Sequence, residues 1–595
     1  MGSKSFSKSW GAEYVAGGSV RFRVWASGQQ HVSVVLPSGT HPMQRNENGW
    51  FDLTVDNVAA GTEYQFMLED GTTIADPASR AQSSDVNGPS VVVDPEHYRW
   101  QHAHWQGRPW EASVIYELHI GTFTPQGTFR SAIAKLPYLA ELGITMIEVM
   151  PVSQFGGNRG WGYDCVLLYA PHSAYGTPDD FKAFIDAAHG YGLSVVLDIV
   201  LNHFGPEGNY LPTLSPDFFH PERHTPWGAG IAYDVDAVRR YIVEAPLYWL
   251  TEFHLDGLRF DAIDQIQDSA QPPVLEEIAR RIRQHITDRP VHLTTEDCRN
   301  IIDLHPRAPD GSVPLFTAEW NDDVHNAAHV MATGETHAYY QDFADQPEVW
   351  LARALSGGFA FQGEVAPSNG KSRGVDSRNQ PPVAFVDFIQ NHDQTGNRAQ
   401  GDRLITLAGE ARTRVLLAAL LFSPHIPLLF MGEEYGETRP FLFFTDFHGD
   451  LARAVREGRA KEFQGHAGHS DEAVPDPNAL DTFTRSQLDW EKLHQPVGHD
   501  WLTRTREWLA LRQQYVVPLL ASAQGQSGDV LATAPGYVAV RWRFPQGTLS
   551  LAFNIGETAQ PLPDLPGQTL AAWPDEQHEL LPNAFVVRLE KGEAQ

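Results

Sequence analysis

Along residues 19–25, apolar Val20, Phe22 and Val24 alternate with Arg21, Arg23 and Trp25, the two-residue period of a strand with one buried face. Shorter runs at 31–36, 49–55, 63–68 and 91–93 repeat the pattern between breaks of Gly, Pro, Asn and Asp. They predict a small N-terminal β-sandwich over the first hundred residues. A Trp-, His- and Pro-containing linker follows at 101–111.

From Val114 the period changes. Short apolar runs now alternate with amphipathic helical stretches, which predicts βα units and a parallel sheet. The runs at 114–120, 145–150, 194–200, 255–261, 292–297, 316–320, 383–388 and 427–432 are candidate strands. Helices are expected between them, for example at 178–191 and 235–252. Eight such units suit a (β/α)8 TIM barrel. A doubly wound sheet is the alternative, but no Gly-rich nucleotide loop follows the first strand. The two longest interruptions, 202–234 and 321–382, are long enough to be functional loops. Beyond 488 come one helical stretch, 500–515, and alternating runs at 530–533, 537–544, 548–554 and 584–589. The expected plan is an α/β protein: an N-terminal β-sandwich at 1–100, a catalytic barrel with loop insertions at 101–490, and a C-terminal β-domain at 491–595.

Bulk properties narrow the partners. The 595 residues exceed what one core accommodates. A net charge of −30 opposes phosphate backbones and anionic lipid, so neither nucleic acid nor membrane is expected as a partner, and a neutral substrate is compatible. The start of the chain, Ser/Lys-rich, lacks a secretory apolar run, and no window approaches the ~20 apolar residues of a membrane helix. A cytoplasmic location is expected. Cys165 and Cys298 fit neither a zinc site nor a disulfide framework and are expected as buried thiols.

Barrel enzymes collect their reactive groups at the C-terminal ends of strands. There the third run ends in Asp198, Asn202 and His203, the fourth in Arg259 and Asp261, and the fifth in Glu296 and Asp297. Asn391, His392 and Asp393 follow the seventh. Arg259 and Asp261, two residues apart on a strand, share a face. Any one pair reads as a salt bridge bracing the rim. Three or more carboxylates around one arginine are costly without a chemical use. Two converging carboxylates plus a third are what glycoside hydrolysis needs, one ionised and one protonated. Arg259 would keep Asp261 ionised, and the neighbouring carboxylates would push Glu296 towards its protonated form.

These segments resemble the signature segments of the α-amylase family, in order and on the right strands. Trp161-Gly-Tyr163-Asp164 and the stretch from Tyr169 to Gly176 are similar to its second-strand segment. The resemblance implies that Asp261 is the nucleophile, Glu296 the general acid/base and Asp393 the transition-state stabiliser. It implies that Arg259, His203 and His392 bind the cleaved sugar and that Tyr163 stacks beneath it. The N-terminal unit resembles the carbohydrate-binding module preceding branching and debranching enzymes.

Within the family, Ile115–Pro125, Thr295–Asn300, Glu319–Asp323 and Phe430–Gly436 with Pro440–Asp446 are similar to members acting on trehalose-capped glucans. That implies maltooligosyltrehalose and related α-1,4-glucans as substrates and trehalose as product. Starch-cleaving members often place Lys-His shortly after the nucleophile; here Asp264 and Gln265 stand there, which suggests a different leaving group. Trp320, Asn321, Asp322, Asp323 and His325 either face that leaving group or form an N-cap cluster for the next helix. No cofactor is expected. Some family members hold calcium near the position of Asn202, and a metal is neither required nor excluded. Rival readings are a branching or debranching enzyme of the same family and a glucan-binding barrel that has lost catalysis.

Overall fold

The computed structural model describes residues 5–15, 17–464, 473–574 and 578–592. The first residues of the Ser/Lys-rich start, 1–4, lie outside the described residues.

The N-terminal unit is two small antiparallel sheets. One pairs Gly11–Val15, Ser19–Trp25, Trp50–Asp56 and Gln44–Arg45; the other pairs Gly39–Pro42, Val32–Leu36, Glu63–Leu68 and Thr73–Ile74, with Ser90–Val91 beside Glu63–Leu68. Val20, Phe22 and Val24 fill the space between the sheets, as their alternation requires. Trp25, on the opposite phase, is also buried, its Nε1–H donating to the Asn48 carbonyl.

All eight expected strands form one closed parallel barrel. In order they are Ile115–Leu118, Met146–Val149, Ser194–Ile199, Gly257–Phe260, His292–Thr295, Ala318–Trp320, Phe385–Asp387 and Ile426–Phe430, the last pairing back onto the first. Each is buried along its whole length, because helices cover the outside and side chains fill the inside. They are shorter than the apolar runs, since the chain leaves the ladder before it reaches the rim. Asp261 and Glu296 lie just past their strands and are tethered by single backbone bonds to Ile199 and Phe260. In the register, Glu117 pairs with Glu148, and Asp198 with Arg259, so each pair points to one side of the sheet.

The rim carries the insertions. After the second strand a hairpin, Ser153–Phe155 with Cys165–Pro171, precedes the helix Pro178–Gly190. After the third, a loop ends in the hairpin Phe219–Thr225 with Gly228–Ile231 and the helix Asp236–Glu252. After the sixth come the helix Asp322–Thr333, a 3-10 turn and the helix Pro347–Gly357. The C-terminal unit is a five-stranded sheet containing all four expected strands plus Gln568–Trp573, whose weaker alternation is broken by a register shift between Thr569 and Ala571.

Candidate active site

Arg259 is the hub. Fully buried, its Nη1 donates to Asp198 Oδ2 at 2.8 Å and Asp261 Oδ1 at 2.9 Å, while Nη2 lies 2.8 Å from Glu296 Oε2. Its guanidinium carbon lies 4.0 Å from the ring centre of Trp320, which supports the cation from below. One planar fork thus gathers three carboxylates. Side-chain exposure separates their roles: 0% for Asp198, 12% for Asp261 and 20% for Glu296. Asp198 braces the arginine and the Tyr163 hydroxyl, which donates to its Oδ2 at 2.6 Å. Asp261 and Glu296 reach the cleft.

The loop after the fourth strand fixes this geometry. Ala262 adopts a left-handed φ of 41°, unusual for a residue with a side chain, and turns its N–H onto Glu296 Oε2 at 2.9 Å. Asn202 donates to Asp261 twice, to the carbonyl at 2.9 Å and to Oδ2 at 3.2 Å. Its side-chain oxygen meets His203 Nδ1. The grouping among the described residues that could hold a metal is Asp264, Asp297 and Cys298, and there Arg299 already occupies both oxygens of Asp297.

Burial lifts the Glu296 carboxyl above the ordinary range, against the pull of Arg259 and aided by Asp261. Burial comes first, ahead of the neighbouring charges expected from the sequence. Asp393 is raised in the same way, burial outweighing the attraction of His392. Asp393 accepts from Asn397 Nδ2 at 2.5 Å. His392 goes the other way. Burial disfavours its charge, yet Glu117 accepts both its backbone N–H, at 2.9 Å, and its Nδ1–H, at 2.7 Å, and raises its pKa to about 9. The ring is an imidazolium at neutral pH. Tyr163 stacks on it at 5.1 Å, and Trp161 meets it edge-on at 5.6 Å. His203, buried and lowered to about 4, is neutral; its Nε2 faces the Tyr163 carbonyl at 2.8 Å.

The seven residues to which the resemblance gives a role therefore converge directly: Tyr163, His203, Arg259, Asp261, Glu296, His392 and Asp393. The group after the sixth strand divides. Asp322 joins them, raised to about 8 by burial and then by Glu296 and Asp393. The other four are packed or hydrogen-bonded elsewhere. Trp320 lies under Arg259 inside the barrel. Asn321 precedes the helix and donates to the Gly358 carbonyl at 2.7 Å, with no side-chain cap bond. Asp323 accepts from Arg373, Asn300 and the Ala360 and Phe361 backbone. His325 lies between the Ile389 carbonyl and the Tyr340 hydroxyl. A contiguous run on a helix covers every face, and only one face looks into the cleft. Cys165 is buried as expected, whereas Cys298 is exposed, because the chain has left the barrel at Thr295 and runs along the rim.

Several contributors were not singled out in the sequence. Glu117 and Glu148 are lone acids inside apolar strands, and both oxygens of buried Glu148 lack a partner. Trp227, 53% exposed at the hairpin tip, lies 5.0 Å from the His203 ring. Beyond Asp393 a groove of about 1170 Å³ opens between Tyr339, Asn397, Arg398, Thr438, Pro440 and Arg485.

The profile of the alpha amylase catalytic domain matches residues 99–215 and 219–543, and the chain belongs to the alpha-amylase family. Carbohydrate-binding module 48, the isoamylase N-terminal domain, matches 9–83, and a C-terminal domain of unknown function matches 525–587. A malto-oligosyltrehalose trehalohydrolase of Deinococcus radiodurans is 40% identical over 559 residues, covering 91% of this chain and 90% of its own. One of Saccharolobus solfataricus is 38% identical, covering 87% and 89%. Within the larger family, the chain belongs with these malto-oligosyltrehalose trehalohydrolases. A solved structure from Salmonella typhimurium, provisionally named an alpha amylase, is 72% identical with a TM-score of 0.97, covering 98% of this chain and 100% of that one.

Proposed function

We propose that the chain hydrolyses the α-1,4-glucosidic bond next to the terminal trehalose of a maltooligosyltrehalose, releasing trehalose and a shortened maltooligosaccharide with retention. A single observation carries the chemistry: one buried arginine holds a part-buried pair of carboxylates that reach the cleft, Asp261 and Glu296, of which burial biases Glu296 towards the acid. Carboxylates gathered on one guanidinium fork favour the closer spacing of retaining enzymes over the roughly 6.5–9.5 Å of inverting ones. The leaving group is supported by the names of the relatives, 36–40% identical over most of the chain. Asp264 and Gln265 stand where starch-cleaving amylases carry Lys-His, which agrees with it.

Asp261 attacks the anomeric carbon of the sugar before the trehalose. The bond to the trehalose oxygen breaks as Glu296 delivers its proton there. Glu296, now ionised, takes a proton from water, whose oxygen displaces Asp261 from the same carbon. Asp393 and the His392 imidazolium hold hydroxyls of the distorted sugar, His203 lines its edge, Tyr163 packs beneath it, and buried Arg259 acts through the carboxylates it holds. Asp322 accepts a hydroxyl on the far side of Glu296. No helix among the described residues is long and apolar enough to cross a membrane, and an exposed free thiol, Cys298, suits a reducing cytoplasm.

Proton NMR of a fresh maltotriosyltrehalose digest tests this reading. The first products should be trehalose and maltotriose in its α form. First-formed β-maltotriose would refute retention, and release of glucose without trehalose would refute the bond.

A further inference from the structure

The N-terminal unit matches a carbohydrate-binding module, yet its large aromatics are turned away from solvent. Trp10, Trp25 and Trp50 are 0%, 6% and 5% exposed. Trp10 meets Trp50, Tyr241 and Phe218 edge-on at 5.3, 5.1 and 6.1 Å, and its Nε1–H donates to the Ala237 carbonyl at 2.9 Å. Trp10 is packed against the barrel, on the helix Asp236–Glu252 and the loop before it, and Trp25 and Trp50 pack edge-on against Trp10.

That interface falls on the two loops that carry Tyr163 and His203. Ser215, fully buried, accepts from the Ser27 N–H at 2.9 Å and donates to the Trp25 carbonyl at 3.1 Å. Gly28 N donates to the Leu214 carbonyl at 2.9 Å, and Gln29 Nε2 to that of Thr213 at 3.2 Å. The approach is close: a side-chain carbon added at Gly28 would lie 2.8 Å from Pro216 Cδ. From there the contact runs through Phe218 to Phe204, 5.6 Å apart edge-on, next to His203. On the other loop, Asp85 Oδ1 accepts from Gly157 N at 3.3 Å, and Val86 packs with Val166, Leu167 and Ala170 behind Tyr163. Gly208 lets the first loop pass Val86 as well, since an added carbon would meet it at 2.6 Å.

We infer that the N-terminal module is a brace that holds the two loops seating the cleaved sugar, with Ser215 as the positioning residue at the joint. A rigid sandwich anchored by Trp10 gives these loops a fixed back wall, which a loop on a barrel rim otherwise lacks. The inference rests on the proposed role of Tyr163 and His203, so its test includes a readout that needs no turnover.

Hydrogen exchange on the full-length protein compares wild type with Ser215→Ala and Gly28→Ala, which disturb the joint from opposite sides. In both variants the peptides over 201–218 should exchange about ten-fold faster, as Ser215→Ala removes the bonds at the joint and Gly28→Ala forces it apart, while the strands Gly257–Phe260 and His292–Thr295 keep their protection. KM for maltotriosyltrehalose should rise about three- to ten-fold with kcat within about two-fold. Faster exchange confined to 19–30, with KM unchanged, would overturn the brace, as would loss of protection throughout the barrel. Maltoheptaose added to Asp261→Asn should leave the exposed edge strand Gly39–Pro42 unprotected; protection there would make the module a sugar site instead. A wild type that releases no trehalose would remove the proposed reaction and leave the exchange result standing.

Discussion

Glu117→Gln removes the counter-charge of His392 while keeping the shape of the side chain. In the folded protein the two are buried together, and Glu117 accepts from the His392 backbone N–H and from its ring Nδ1–H and lifts the ring's pKa from 6.5 to about 9. Without the carboxylate charge, burial dominates and the pKa falls to 6.5 or lower. At pH 8 the protonated fraction then drops from about 0.9 to about 0.03, a thirty-fold loss of the imidazolium. If that cation holds the sugar in the transition state, kcat/KM at pH 8 falls about thirty-fold and its alkaline limb moves from near 9 to below 7. Stability changes with a defined sign. A raised histidine pKa stabilises the fold fully below pH 6.5, and the contribution is lost as pH climbs through 9. Lifting the pKa from 6.5 to about 9 is worth about 3 kcal/mol. The melting point of Glu117→Gln should therefore lie well below wild type at pH 6 and approach it by pH 10. An unmoved alkaline limb, or a melting gap that widens with pH, would refute the pairing.

Glu296→Gln keeps the hydrogen-bonding shape but cannot give or retake a proton, so kcat should fall about 10³-fold while calorimetry still shows maltooligosaccharide binding; loss of binding with kcat intact would reverse the assignment. The Cys298 thiol is pushed up to about 12 by burial and by Asp264 and Asp297, so at pH 8 iodoacetamide should label it at least about ten-fold more slowly than free cysteine despite its exposure, and Asp264→Asn should speed the labelling. Burial, and then Glu117, raise the Glu148 carboxyl well above the ordinary carboxylate range. Glu148→Gln should thus change stability by no more than about 1 kcal/mol, whereas an ionised Glu148 would make the substitution clearly stabilising.

The barrel was legible because its strands are buried on both faces and read as unbroken apolar runs, with helical periods between them. Their ends were less so: the register stops before Asp261 and Glu296, and nothing in the apolar run marks where the ladder ends. The carboxylates could be found since a charge at an apolar strand's end stands out. Glu117 and Glu148 could not, because a lone acid within such a run reads as an interruption until the closed barrel sets the two side by side. The stretch from Trp320 to His325 shows a pattern in the sequence without its partners. Its polar density is real, but helical winding spends Asn321, Asp323 and His325 on the neighbours that hold the loop 357–373 and the turn at Tyr340, leaving Asp322 for the cleft. The module's tryptophans could be counted in the sequence, whereas the surface they bury required the interface.

The most direct test offers purified protein equal concentrations of maltotriosyltrehalose and maltopentaose and follows trehalose and new reducing ends over time. Fast trehalose release, with maltopentaose cleaved at least about ten-fold more slowly, is the predicted result, since about 1.4 kcal/mol of leaving-group recognition already suffices for that ratio. Equal cleavage of the two would contradict it and leave a general α-glucan hydrolase built on the same carboxylates.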